Sequence, residues 1–176
     1  MSGHSKWAKL KHTKGKTDAQ KSKMFSKLLR FVSVEAKKAK GIRTAPGLRA
    51  AVDKARAANV PSDNIERAIT KASGSEAELE PVTYEAYGPG GCALVIEAYT
   101  DNRNRTVQEL KHLLALHGGS LANPGAAMWA FSKNAEGALE PIAPMELSDD
   151  DAQKMAELSD ALEEHDDVNE TYSSAA

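Results

Sequence analysis

The sequence divides into a basic half and an acidic half, and this division constrains the fold more than any single motif. Residues 1–75 hold 18 basic and five acidic residues, whereas residues 76–176 hold five basic and 20 acidic residues. The net charge of −2 for the whole chain hides this asymmetry. A length of 176 residues is sufficient for two small domains. We therefore predict one basic and one acidic domain.

The basic half contains three segments with helical periodicity, preceded by a segment without one. Residues 1–16 lack an apolar period, so we expect a flexible basic arm there. Thr17 and Gln20 have the spacing of a capping box, which predicts the start of the first helix. The three helices are predicted at residues 17–40, 46–58 and 62–72. A basic three-helix bundle is expected over residues 17–75.

The acidic half, residues 76–176, alternates strand and helix patterns. Two predicted strands flank the glycine-rich turn Gly88–Gly91 and form a hairpin. Further elements are predicted as a helix at 105–117, a strand at 125–132, a linker at 134–147, an acidic helix at 148–164 with Ser148 as its N-cap, and an edge strand at 167–173. The order ββαβαβ predicts an α+β fold, a small antiparallel-sheet sandwich with helices on one face.

Residues 3–43 have the composition of a nucleic-acid-binding surface. They contain 13 basic residues against only Asp18 and Glu35, and Trp7 offers a ring for stacking. The alternative is a solvated helix face with a flexible tail, although such faces usually mix charges of both signs. The candidate contacts here are His4, Lys6, Trp7, Lys9, Lys11, His12, Lys14, Lys16, Lys21, Lys23, Lys27 and Arg30.

Arg103 and Arg105 are two further candidates for phosphate contact. They lie in the segment 101–105, where a predicted central strand meets the start of a helix. Backbone amides at a helix start and two guanidinium groups suit an anion. The alternative is that Asp101 or Asn104 caps the helix while the arginines pair with carboxylates.

Patterns for catalysis, cofactors and metals are weak in this sequence. The Gly88–Gly91 turn lacks nucleotide-binding spacing, and His112 and His117 lie five residues apart, which is poor spacing for two ligands on one helical face. Cys92 adjoins an apolar run and is expected to pack in the core. We predict a non-enzymatic cytoplasmic monomer with no catalytic residue, cofactor, metal, membrane span or small-molecule substrate.

Six motifs occur in order along the chain: Gly3–Trp7, Arg49–Ala55, Asn59–Ile69, Tyr87–Gly91, Thr100–Thr106 and His117–Gly119. With these motifs the chain resembles the YebC/PmpR family. The resemblance implies a regulator of gene expression without enzymatic activity, DNA-binding in some members and ribosome-associated in others. The mitochondrial relatives are translational activators of cytochrome c oxidase.

The resemblance also implies that this chain is a shortened form. Family members usually carry a further domain between the strand near Phe131 and the C-terminal helix, whereas only about fifteen residues separate these elements here. The usual inserted domain is therefore expected to be absent near residues 132–147. Roles that belong to that domain do not transfer to this chain.

Three functions stay open at this point. The preferred one is a ribosome-associated translation factor that binds ribosomal RNA through its phosphates, hydroxyls and stacking surfaces, for example to relieve stalling. The second is a transcriptional regulator that binds duplex DNA, although the third predicted helix offers only Arg67 and Lys71 for reading bases. The third, a metal-dependent nuclease that uses the acidic residues, ranks last because their spacing does not match a metal site.

Overall fold

The structure, a computed structural model, describes residues 17–74 and 79–176, which form two units. The bundle unit comprises residues 17–74, 79–81 and 99–101. The sheet unit comprises residues 82–98 and 102–176. The α+β class with an N-terminal helical bundle is confirmed. The predicted domain boundary near residues 75 and 76 falls at the undescribed segment and stays a prediction.

The bundle unit contains α1 (Asp18–Lys38), α2 (Pro46–Ala57) and α3 (Ser62–Ser73). The predicted capping box begins α1, because the Thr17 hydroxyl accepts a hydrogen bond from the Gln20 amide at 3.3 Å and Gln20 Oε1 accepts one from the Thr17 amide at 2.8 Å. One apolar stripe from each helix meets in the core. Its fully buried members include Val32, Leu48, Ala51, Ala55 and Ile65.

The sheet unit is built around a four-stranded sheet with two helices on one face. The strands are β1 (Glu80–Tyr87), β2 (Ala93–Thr100), β3 (Ser120–Ala122) and β6 (Val168–Ser173), in the spatial order β3-β1-β2-β6. The helices are α4 (Arg103–Leu116) and α5 (Asp149–Glu164). Leu94 and Ile96 of β2 pack against Leu110 of α4 and Leu158 of α5 in one core cluster. The predicted acidic helix with Ser148 as its N-cap and the predicted final edge strand are confirmed.

A second, two-stranded sheet corrects the prediction for residues 125–147. Residues 125–130 form a turn and a 3-10 helix instead of a strand, because Gly125 adopts φ +88° and breaks the extended chain. The predicted linker contains β5 (Leu139–Pro141), which pairs with β4 (Phe131–Lys133). This β4–β5 hairpin packs against Ala93 and Val95, the opposite face of β2 from the helices. The element order is therefore ββαβββαβ.

The described helices include none that combines the length and apolar character needed to span a membrane.

Candidate nucleic-acid interface

Three of the predicted contacts form one stripe along α1. Lys23, Lys27 and Arg30 follow one another at spacings of four and three residues, which places them on one face of the helix. Lys23 is exposed, and Lys27 and Arg30 are half-buried. Lys37, seven residues after Arg30, is exposed on the same side of α1, but Val34, which lies between Arg30 and Lys37 on that side, is buried. Lys37 was not among the predicted contacts, although its heptad spacing from Lys23 and Arg30 was a signal for it.

Lys21 does not belong to this stripe. It lies seven residues before Leu28 and therefore on the side of α1 that becomes the core further along the helix. At this N-terminal end the side chain is exposed. The eight predicted contacts of the arm lie outside the described residues, and their role stays a prediction. They are His4, Lys6, Trp7, Lys9, Lys11, His12, Lys14 and Lys16.

The bundle unit carries more positive charge than its own acids can neutralise. Its described residues include 13 basic and seven acidic side chains. Two surface pairs use some of the acids: Lys38 Nζ lies 2.6 Å from Glu35 Oε1, and Arg43 Nη2 lies 2.6 Å from Glu66 Oε2. The hydrogen bond from Arg43 lowers the pKa of Glu66, which keeps this pair charged. The unit therefore has a surplus of six positive charges, which attracts anionic partners.

The start of α4 separates the roles of Arg103 and Arg105. Asn102, rather than Asp101 or Asn104, caps the helix, and its side chain accepts a hydrogen bond from the Arg105 amide at 3.1 Å. The Arg105 guanidinium donates to the buried Asp167 carboxylate at 2.8 Å. The sequence left two roles open for Arg105, contact with a phosphate or pairing with a carboxylate. The structure shows the pairing with a carboxylate.

The Asp167 carboxylate is the centre of a small buried network. It also accepts a 2.7 Å hydrogen bond from the Thr106 hydroxyl. The neighbouring His165 accepts the Asp167 amide proton at Nδ1 (3.1 Å) and contacts Glu109 Oε2 through Nε2 (2.9 Å). These bonds fix the histidine tautomer with its proton on Nε2.

One group of side chains has the spacing of a metal site: Glu109, His165 and Asp167 hold three possible ligand atoms within 4.8 Å of one another. The hydrogen bonds of this group, however, do not suit a metal ion. A histidine ligand needs an available nitrogen lone pair, whereas here Nδ1 accepts an amide proton and Nε2 carries one. The guanidinium of Arg105 also lies against both carboxylates, at 2.8 Å and 3.9 Å. The protein therefore supplies its own cation at this cluster.

Arg103 is exposed, and its charge acts on an unusual tyrosine. The Tyr84 hydroxyl on β1 is buried and has no hydrogen-bond partner among residues 17–74 and 79–176. Burial raises the pKa of Tyr84, the positive charge of Arg103 opposes that rise, and Asp167 adds to it. The Tyr84 hydroxyl is enclosed by the protein and stays neutral. The exposed guanidinium of Arg103 at the N-terminal end of α4 can bind an anion such as a phosphate.

A third feature, which the sequence did not reveal, is the loop after β3. The Glu85 carboxylate on β1 accepts three backbone hydrogen bonds, from Gly125 (2.6 Å), Ala127 (2.7 Å) and Met128 (2.8 Å). Partial burial alone would raise the pKa of Glu85, but the three amide donors outweigh burial and lower it. The loop is therefore held to the sheet by a charged group.

The same loop presents an exposed tryptophan in a fixed orientation. Trp129 Nε1 and the Tyr87 hydroxyl both donate to the carbonyl oxygen of Ala126, at 2.8 Å and 2.7 Å. The Trp129 side chain is nevertheless 64% exposed. The contacts of Glu85 and Tyr87 with this loop join residues about 40 positions apart, so no local sequence pattern predicts them.

Two protein-family models match most of the chain. The model described as the TACO1/YebC protein N-terminal domain matches residues 5–75. The model described as the TACO1/YebC second and third domain matches residues 79–137. The chain belongs to the TACO1/YebC family. The resemblance read from the six motifs is thereby confirmed.

Curated relatives in the TACO1/YebC family are about half identical to the chain over the matched region. The Thermotoga petrophila protein is 53% identical over 136 residues, which are 76% of this chain and 54% of that protein. The Chlorobaculum parvum protein is 44% identical over 175 residues, which are 98% of this chain and 68% of that protein. Both are named probable transcriptional regulatory protein. The chain spans 54% of the length of the first relatives it matches, consistent with a shortened form.

A solved TACO1/YebC-like structure has the same fold. The crystal structure of a conserved hypothetical protein, Aq1575 from Aquifex aeolicus, superposes with a TM-score of 0.84 and 30% sequence identity. The match covers 97% of this chain and 96% of that one. The likeness confirms the α+β architecture.

Proposed function

We propose that this chain is a non-enzymatic, nucleic-acid-binding regulator of gene expression that acts in the cytoplasm as a monomer, on the ribosome through ribosomal RNA. The observation that carries this proposal is the surplus positive charge of the bundle unit, with 13 basic against seven acidic described side chains. Phosphate neutralisation is the commonest use of such a surplus. The arm of residues 1–16, with five more lysines, extends the same basic character.

The surface of α3 favours RNA over a duplex DNA groove. A recognition helix needs several side chains that reach base edges, whereas α3 offers only Arg67 and Lys71 as exposed cations. Asp63 and Glu66 are exposed on the same helix, and Glu66 is held by Arg43. Carboxylates at these positions would repel the phosphates that border a groove. Structured RNA, which is bound through phosphates and shape, places no such demand on one helix.

Arg103 is the proposed contact in the sheet unit. Its exposed guanidinium lies at the first residue of α4, where the backbone amides and the positive end of the helix dipole also favour a phosphate. Arg105 lies in the same turn but contacts Asp167, so its part in binding is to hold the start of α4 in place. We expect Arg103→Ala to weaken RNA binding with little change in stability.

Duplex DNA is the second candidate ligand. The curated relatives named probable transcriptional regulatory protein favour it, because transcriptional regulation acts on DNA. The same surplus charge would also bind DNA phosphates. The two candidates therefore differ in their specific target and not in the electrostatic part of binding.

Co-sedimentation of the full chain with ribosomes across a salt series, with duplex DNA as competitor, distinguishes the two. The translation proposal predicts sedimentation with ribosomes that a large excess of duplex DNA does not abolish. Displacement by DNA, together with a sequence-dependent gel shift, would instead establish the DNA alternative. A chain that binds neither RNA nor DNA at about 50 mM salt would refute nucleic-acid binding altogether.

Matched lysine variants test which surface is used. Lys21→Ala/Lys23→Ala removes two exposed lysines of the bundle unit, and Lys111→Ala/Lys154→Ala removes two exposed lysines of the sheet unit. We expect the first variant to lower the slope of log affinity against log salt by about one to two, since each lost phosphate contact lowers it by roughly 0.7–0.9. The second should leave the slope unchanged. Equal slopes for both variants would contradict a bundle interface.

A further inference from the structure

Three of the large apolar side chains that the described residues expose lie on one short part of the sheet unit. Trp129 is 64% exposed, Ile142 62% and Met145 39%. The Ile142 amide donates to the carbonyl oxygen of Ala130, the residue after Trp129, at 2.8 Å. The Met145 amide donates to the carbonyl oxygen of Ser174 at 2.7 Å, which holds the backbone at Met145 against the C-terminal segment. The backbone of Ile142 is thus hydrogen-bonded to the residue that follows Trp129, and Met145 lies three residues after Ile142. On this basis we call Trp129, Ile142 and Met145 the apolar patch.

The backbone beneath the apolar patch is firmly held, which makes the exposure of Trp129 a built feature. Glu85 holds the preceding loop through three backbone amides, and the indole is tied to the Ala126 carbonyl. A fixed aromatic ring loses little conformational entropy when a partner covers it. Tryptophan is also among the residues that most often dominate the energy of protein interfaces. The apolar patch thus has the properties of an interaction surface.

Acidic side chains flank the patch along the chain and restrict its occupant. Glu140 precedes Ile142 by two residues, Glu146 follows Met145 directly, and Asp149 begins α5; all three are exposed. The sheet unit as a whole has 16 acidic and five basic residues. RNA and DNA would be repelled by this charge. A second copy of the chain, docked patch to patch, would bring two sets of these carboxylates together.

We propose that the apolar patch is the docking surface for a basic segment of a partner protein, in which lysine or arginine residues alternate with apolar ones. The apolar residues of that segment pack on Ile142 and Met145, and its cations lie over the Trp129 ring and beside Glu140 and Glu146. This surface is separate from the basic bundle unit. The chain would thereby connect a nucleic acid on one unit with a basic protein on the other.

Fluorescence anisotropy with the full chain and a labelled synthetic peptide tests this proposal. The probe is a peptide of about twelve residues in which lysine and leucine alternate, and the comparison peptides replace either its lysines with glutamate or its leucines with serine. We expect the lysine–leucine peptide to bind at least about tenfold more tightly than both. Equal binding of the lysine–serine peptide would overturn the proposal, because it would show charge attraction without a docking surface.

A matched pair of variants assigns the binding to the patch. Trp129→Ser should weaken peptide binding by about tenfold or more, whereas Leu116→Ser, at a side chain that is also 64% exposed but lies on α4, should not change it. Glu140→Gln/Glu146→Gln should weaken binding and flatten its salt dependence. Circular dichroism verifies folding, and Ile142→Ser replaces Trp129→Ser if that variant does not fold. Equal losses in the patch and Leu116 variants would overturn the proposal.

Two further measurements test the other possible occupants of the apolar patch, which are a second copy of the chain and RNA. If sedimentation velocity shows a dimer that Trp129→Ser dissociates, the patch is a contact between copies and the proposal is wrong. It is also wrong if Trp129→Ser weakens RNA binding as strongly as peptide binding. A monomer whose RNA affinity is unchanged by Trp129→Ser, and whose peptide affinity falls, supports it. Loss of RNA binding in the lysine variants of the bundle unit would leave these outcomes unaffected.

Discussion

Replacing Glu85 with glutamine should destabilise the loop that carries Trp129, because this carboxylate accepts three backbone amides. A glutamine carbonyl oxygen can still accept from Ala127 and Met128, but the bonds become neutral and roughly half as strong. Its amide group would face the Gly125 N–H, now 2.6 Å from the carboxylate. Because water can reach the exposed Gly125 amide, the cost of leaving that amide without a protein acceptor is at the lower end of the usual range. Glu85→Gln should lower the free energy of unfolding by about 2 kcal/mol, roughly a thirtyfold change in the equilibrium constant.

The effect should depend on pH in a defined direction. The pKa of Glu85 is lowered in the folded protein from its ordinary value of 4.5. Its contribution to stability is therefore complete above about pH 4.5 and disappears as the pH falls through the lower folded pKa. Glutamine does not titrate, so the difference between the parent chain and Glu85→Gln should be full at pH 7 and close towards pH 3.

Urea unfolding and hydrogen exchange at the Ala127 and Met128 amides measure this effect globally and locally. Hydrogen exchange is the more direct assay, since the two units can unfold separately. Glu136→Gln, at an exposed glutamate between β4 and β5, is the control and should change stability by less than about 0.5 kcal/mol. The reasoning is refuted if Glu85→Gln matches the control at pH 7, or if its deficit is the same at pH 3 and pH 7.

Two further stability predictions concern the sheet unit. Arg105→Met should cost about 2 kcal/mol because it leaves the buried Asp167 carboxylate without its guanidinium, and combining it with Asp167→Asn should cost less than the sum of the single changes in urea unfolding. Additive costs would show that the pair is not coupled. Gly119→Ala should lower the melting temperature more than Gly118→Ala, because a Cβ at Gly119 would lie 2.6 Å from the Tyr87 carbonyl oxygen, whereas Gly118 has φ +77° but open space around it. The reverse order would contradict this.

Local patterns predicted the helices of this chain well. The Thr17–Gln20 capping box and the Ser148 N-cap are each decided by a few neighbouring residues. The apolar stripes of α1, α2 and α3 likewise follow a period that is visible in the sequence. These features were predicted because their energies depend on contacts three or four residues apart.

Residues 125–147 were predicted incorrectly because their structure depends on distant partners. Gly125 and the following residues look like a strand, yet their amides are bound by Glu85 on a strand 40 residues earlier. The segment called a linker pairs with β4, and the β4–β5 hairpin covers the face of β2 that the helices leave open. Short strands of three residues carry too little periodicity to be recognised alone.

The sequence by itself determined the charge division, the helices, the α+β class and the family, since composition and near-neighbour spacing encode all of these. Only the tertiary structure decided which charged groups contact each other. Arg103 and Arg105 are two residues apart in the sequence, but Arg105 donates a hydrogen bond to the carboxylate of the distant Asp167 while Arg103 is exposed at the first residue of α4. The tertiary structure also decided that the Trp129 side chain is exposed and held in one orientation. The physical reason is that burial and pairing depend on where distant strands and helices bring their side chains together, which no local pattern records.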